Sequence, residues 1–223
     1  MSLIVSDSGG DFKRVPVGVF SARCFSVIDL GTQIVEFNGE TKHQRKVQLG
    51  WELYGEDDQG NPLTTDDGEP MSISKRYTLS LSEKSKLRPD LEAWRGKPFT
   101  EVELKGFDLQ DLLGAPCFLN VTHTEKNGKT YSNVASITPL PRQMRDALPH
   151  QINSSRIYTI TDGKNEVYQS LYEKLRATID KAVEWQGLSA KASSPVGGVS
   201  DFESDIPFAH HGKNGADVSW RSL

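Results

Sequence analysis

The sequence predicts a mainly β fold, a small five-stranded antiparallel barrel with one helix inserted between its third and fourth strands, followed by an amphipathic helix and a polar tail. Three observations predict it. Apolar and polar residues alternate through residues 42–54 and 74–81, which is the period of a half-buried strand. The spacing lengthens to a helical one between residues 83 and 94. An Asn127-Gly128 dipeptide separates two β-rich runs, as in a tight hairpin.

The elements follow in order. Val15, Val17 and Val19 alternate with smaller residues, and β-friendly composition resumes through Phe25, Val27, Ile34, Val35 and Phe37 with Gly31 between. This reads as one long first strand, bent at the glycine. After a turn at Asn38-Gly39, Val47, Leu49, Trp51 and Leu53 share one face of a second strand, and Lys42, Gln44, Lys46 and Gln48 share the other. Residues 56–70 hold six acids and no Lys or Arg, which predicts an exposed acidic loop. The third strand sends Tyr77, Leu79 and Leu81 one way and Arg76, Thr78 and Ser80 the other. Leu87, Leu91 and Trp94 then form a short helix, with Pro89 near its start and Gly96 placed to end it. A helical turn at residues 108–113 precedes the closing hairpin, whose strands run through residues 117–124 and 130–137.

That order, three strands in meander, a helix, then a hairpin, is the signature of the oligonucleotide-binding (OB) fold. An immunoglobulin-type sandwich needs about seven strands and no helix in the middle. The chain of 223 residues has room for such a barrel over residues 15–145, with a flexible stretch at 1–14 before it. Residues 146–188 supply a linker and a helix, because Val167, Leu171, Leu175, Ile179 and Val183 recur every four residues after Asp162 and before Gly187. Its apolar stripe needs the barrel, a second copy or a partner to cover it, so a homodimer through residues 165–186 is one expectation. Residues 189–223, rich in Ser, Gly and Ala, read as a disordered tail.

Composition narrows the function. A formal charge of −4 argues against a uniformly basic duplex-binding surface. No apolar run approaches the ~20 residues of a membrane span, and the first ten residues carry no export signal. Two cysteines, Cys24 and Cys117, are too few for a disulfide framework and point to a reducing cytoplasm.

The search for chemistry yields no convincing catalytic set and no cofactor. Gly128-Lys129-Thr130 imitates the end of a phosphate-binding loop, but the earlier glycine is replaced by His123. His43, His123 and His150 are isolated, and His210-His211 lacks companions at ligand spacing. Asp57, Asp58, Asp66 and Asp67 lack the alternation of a calcium loop, although an Mg²⁺-dependent nucleic-acid enzyme is a third, weaker reading. The protein is therefore expected not to be an enzyme.

Binding is better represented. Lys42 and Lys46 from strand two and Arg76 from strand three would contact phosphates, with Lys75 and Arg88 as secondary candidates. Phe25, Tyr54 and Tyr77 are the rings expected to stack bases. Residues 18–23, 42–53, 74–81 and 114–117 together resemble phage-encoded single-stranded DNA-binding proteins of the OB type. In the tail, Asp201, Phe202, Glu203 and Asp205 before Ile206-Pro207-Phe208 are similar to the acidic tip of bacterial single-stranded DNA-binding proteins. That tip ends its chain, whereas here residues 209–223 follow. The resemblance implies sequence-tolerant single-stranded DNA binding in phage or prophage replication or recombination, inside the bacterial host cell, with replication or recombination proteins recruited by the tail. A protein-interaction scaffold that binds no DNA is the alternative.

Overall fold

The computed structural model describes residues 13–37 and 39–186. The tail candidates Asp201 to Phe208 lie outside the described residues, as does most of the expected N-terminal stretch.

The first strand, β1, runs from Gly18 to Phe37 and organises everything else. Along one edge it pairs antiparallel with β2 (Glu40–Tyr54) for nearly its whole length. The register slips between Cys24 and Ser26 and again between Asp29 and Gly31, so Phe25 and Leu30 are bulged and the strand coils. Gly31 sits at φ +68°, and a methyl there would lie 2.6 Å from the Cβ of Ala182 and would strike Ile160. The bend predicted at this glycine therefore also lets a later segment approach. The other edge of β1 is shared: residues 18–23 pair with β4 (Pro116–Lys126), and Ser26–Ile28 pair in parallel with β6 (Arg156–Tyr158).

The strand order is β3-β2-β1-β4-β5, with β3 at Ser72–Thr78 and β5 at Lys129–Pro139. This corrects the expected OB barrel. No hydrogen-bonded ladder joins β3 to β5, so the six-stranded sheet is open, and with its helices the fold is mixed α/β. Helix α1 (Leu87–Arg95) lies against β5 and adds Leu87, Leu91 and Trp94 to the core. β3 and β5 approach each other, but their backbones do not pair.

Local chemistry explains most boundaries. Asn127 at φ 53° and Gly128 at φ 71° provide the left-handed pair of the β4–β5 turn. Gly96, at φ 69°, caps α1 through its N–H to the Ala93 carbonyl. Helix α2 (Glu101–Lys105) was not anticipated, although Thr100 and Glu103 make a reciprocal capping box that the sequence spells as T-x-x-E.

The expected continuous helix over residues 165–186 is broken. A short helix α3 (Arg142–Arg145) comes first, then α4 (Glu166–Ser170) and α5 (Glu173–Ile179), with Leu171 and Tyr172 extended between them. A repeat of four residues advances about 40° per step on an α-helix, so five such residues would drift by ~160° around a straight rod. The break resets the phase. Tyr168, Leu171, Leu175 and Ile179 all pack on Ile28, Leu30 and Tyr158, forming a second core beyond the one around Trp51, Leu91 and Leu119. The apolar stripe thus docks on the chain's own sheet.

Among the described residues no helix is long and apolar enough to cross a membrane. Cys24 and Cys117 are free and buried, and burial pushes the Cys24 thiol up to about 12.

Candidate nucleic-acid interface

Alternation on β2 and β3 separates two faces. Val47, Leu49, Trp51, Ile73 and Tyr77 enter the first core. Gln44, Lys46 and Gln48 of β2 lie opposite Thr78 and Arg76 of β3 through the pairings Lys46–Thr78 and Gln48–Arg76. Lys46 Nζ donates to Gln44 Oε1 at 2.6 Å and Thr78 Oγ1 at 2.9 Å, and partial burial lowers its pKa. Arg76 Nε donates to Gln48 Oε1 at 2.9 Å. Both cations are thus positioned by neutral amides and a hydroxyl, which orient them without cancelling their charge.

Gln48 also lines a groove of about 240 Å³ between the β1–β3 sheet and the segment that carries β6, α4 and α5. Its sheet side includes Ser26, Gly50, Ser72 and Ser74; its far side includes Arg156 and Tyr172. Among the described residues no carboxylate lines it. The floor is low because position 50 is glycine: a Cβ there would collide with Ser26 Oγ. Phe25, bulged out of register and half-buried, stands on one wall, and Tyr172, 55% exposed, on another.

The structure places Lys46 and Arg76 on one face of β2–β3 and Phe25 in the groove that Gln48 lines, and disperses the other expected site residues. Lys42 shares the face of Lys46 but lies out on the β1–β2 hairpin, 3.1 Å from Glu40. Tyr54 shares it too, yet is buried and bonded to the Glu52 carboxylate; burial, then that hydrogen bond, raises its pKa. Lys75 and Tyr77 point to the core side, where both reach Asp90 of α1, at 2.7 and 2.8 Å. Burial above all holds the Tyr77 phenol protonated. Arg88 pairs with Glu92 at 3.0 Å along α1. Of the expected stacking rings, Tyr54 and Tyr77 are therefore structural.

Two groove residues escaped the sequence reading. Arg156 pairs with Ser26 through its backbone, while its side chain makes no hydrogen bond or ion pair among the described residues; its only signal was a short Arg-Ile-Tyr run in a presumed linker. Tyr172 was absorbed into a helix period that the chain does not follow.

The acidic loop holds itself. Asp57 accepts from the backbone of Gln59 and Asn61 and from the Asn61 amide, which lowers its pKa, the Asn61 side chain foremost. Among the described residues no group of three or more His, Cys, Asp or Glu side chains is placed to hold a metal ion. Comparison with protein-family models and with curated proteins found no match.

Proposed function

We propose that the groove between β1–β3 and the α4–α5 segment binds single-stranded DNA with little sequence preference. The open sheet removes the OB-fold identification and the argument from family likeness; the reading rests on the face itself. What carries it is a groove with no carboxylate among its described lining residues, with Arg156 in its wall, Arg76 bonded to its Gln48 and Lys46 two register positions beyond on the same face. Cations track phosphates, while Phe25 and Tyr172 offer flat faces to unpaired bases. Serines and a glycine on the floor leave room for a backbone to lie close. Two buried, unlinked cysteines suit the reducing cytoplasm in which such a protein would work.

Fluorescence anisotropy of a labelled thymidine oligomer, titrated across a salt series, tests this. The slope of log affinity against log salt decreases by about 0.7 for each phosphate contact removed from a single strand. Lys46→Ala with Arg76→Ala is expected to flatten it by roughly 1.4 on that basis, and Arg156→Ala by a further step. Tyr172→Ala is expected to cost about 1–3 kcal/mol of affinity as a lost stacking platform. No binding at low salt, or a slope indifferent to these cations, overturns the reading in favour of a scaffold that contacts proteins only.

A further inference from the structure

A larger cavity, about 460 Å³, lies at the far rim of the sheet, between the C-terminal end of α1, the turn entering β4, the end of β5 and α3. Four arginines line it, Arg23, Arg95, Arg142 and Arg145, against two carboxylates, Asp111 and Asp146. We propose that this cavity binds a phosphate-bearing ligand of nucleotide size.

Neighbouring groups fix three of the four guanidinium planes. Arg23 is clamped by three carbonyl oxygens, donating to Gly114 at 3.1 Å, Pro149 at 3.1 Å and Leu148 at 3.5 Å. Neutral carbonyls fix its plane and leave its charge. Arg145 Nε donates to the Leu140 carbonyl at 2.9 Å. Arg95 lies 4.4 Å from the Phe99 ring centroid, stacked as well as bonded to Glu103. Arg142 is exposed at the mouth. Pre-oriented planar forks suit the oxygens of a phosphate, which several of them can share. Glu103 neutralises Arg95, so Arg23, Arg142 and Arg145 face Asp111 and Asp146 and leave a formal excess of one positive charge in a concave space, where the field is focused. The volume falls within the range of small-molecule sites and exceeds what an inorganic anion fills, and Leu113 and Pro139 give the remainder of a ligand an apolar wall. The shared chemistry is a phosphate monoester, carried either by a free nucleotide or by the 5′ end of a strand.

Calorimetry with inorganic pyrophosphate and with adenosine 5′-monophosphate tests the site on the full-length protein. Both are expected to bind, and Arg142→Glu, at an exposed position, is expected to weaken both by about tenfold or more, the scale of one lost charge-assisted bond. Arg142→Ala with Arg145→Ala should do the same with an unchanged circular dichroism spectrum. Lys46→Ala with Arg76→Ala should leave pyrophosphate affinity intact, which separates this site from the groove. A thymidine oligomer with and without a 5′-phosphate distinguishes the sources: a gain from the phosphate that Arg142→Glu abolishes assigns the strand end, and binding of the monophosphate without that gain assigns the free nucleotide. Absence of binding by both small probes at millimolar concentration, or affinities indifferent to Arg142→Glu, overturns the proposal.

Discussion

Glu52 shows how one side chain can reassign a surface. It lies on the same face of β2 as Lys46 and Gln48, where alternation alone would expose it, yet it is fully buried. Its carboxylate accepts from the backbone N–H groups of Ile152 and Asn153 at 2.9 and 2.8 Å, from the Asn153 amide at 2.8 Å and from the Tyr54 hydroxyl. Residues 152–153 are thereby latched across the sheet. Glu52→Ala strands four donors, so a loss of about 2–4 kcal/mol is expected in urea denaturation, from the cost of unsatisfied buried donors. Limited proteolysis should then cut within residues 146–155 faster than in the wild type. Position 50 makes a second point at this scale. Its glycine lets the Ser26 hydroxyl approach closely, and Gly50→Ala is expected to turn that hydroxyl aside, raise the groove floor and weaken oligonucleotide binding.

At the scale of elements, helix α2 and the end of α1 form a clamp. Arg95, almost wholly buried, is paired with Glu103, and Glu103 also closes the capping box on Thr100. The Glu103 carboxyl is held down to about 2, chiefly by the Thr100 N–H, with Arg95 contributing. A depressed folded-state pKa means that the stabilisation is complete above the ordinary value of 4.5 and is lost as pH falls toward 2. Thermal melts are therefore expected to decline through that window, and Glu103→Gln should remove part of the decline while costing about 1–2 kcal/mol at neutral pH, since it leaves the Arg95 guanidinium without its counter-ion.

At the scale of the molecule, β1 belongs to both cores: its first half packs with Trp51 and Leu119, and Ile28 and Leu30 pack with α4 and α5. Two cores strung on one strand should melt together. Leu175→Ala, deep in the second core, is expected to cost about 2–4 kcal/mol. Circular dichroism and amide exchange across β2 and β4 should register that loss equally. A first core whose transition stays in place would mean that the two regions fold independently.

The sequence by itself determined what nearest neighbours decide. Strand identity, the inward face of Val47, Leu49 and Trp51, the Asn127-Gly128 turn and the Gly96 cap are all written in residues a few positions apart, because period and turn chemistry act over that range. That Lys46 and Arg76 share one face of the sheet was legible for the same reason. The tertiary structure alone decided that the sheet stays open, since that depends on whether two strand edges distant in sequence meet backbone to backbone. It also decided that residues 146–186 add a strand and a second core, that Glu52 and Tyr54 are covered, and that Arg156 and Tyr172 face the groove. These outcomes depend on residues far apart in the chain, about a hundred positions for Glu52 and residues 152–153, and no local pattern encodes which surface a distant segment will cover.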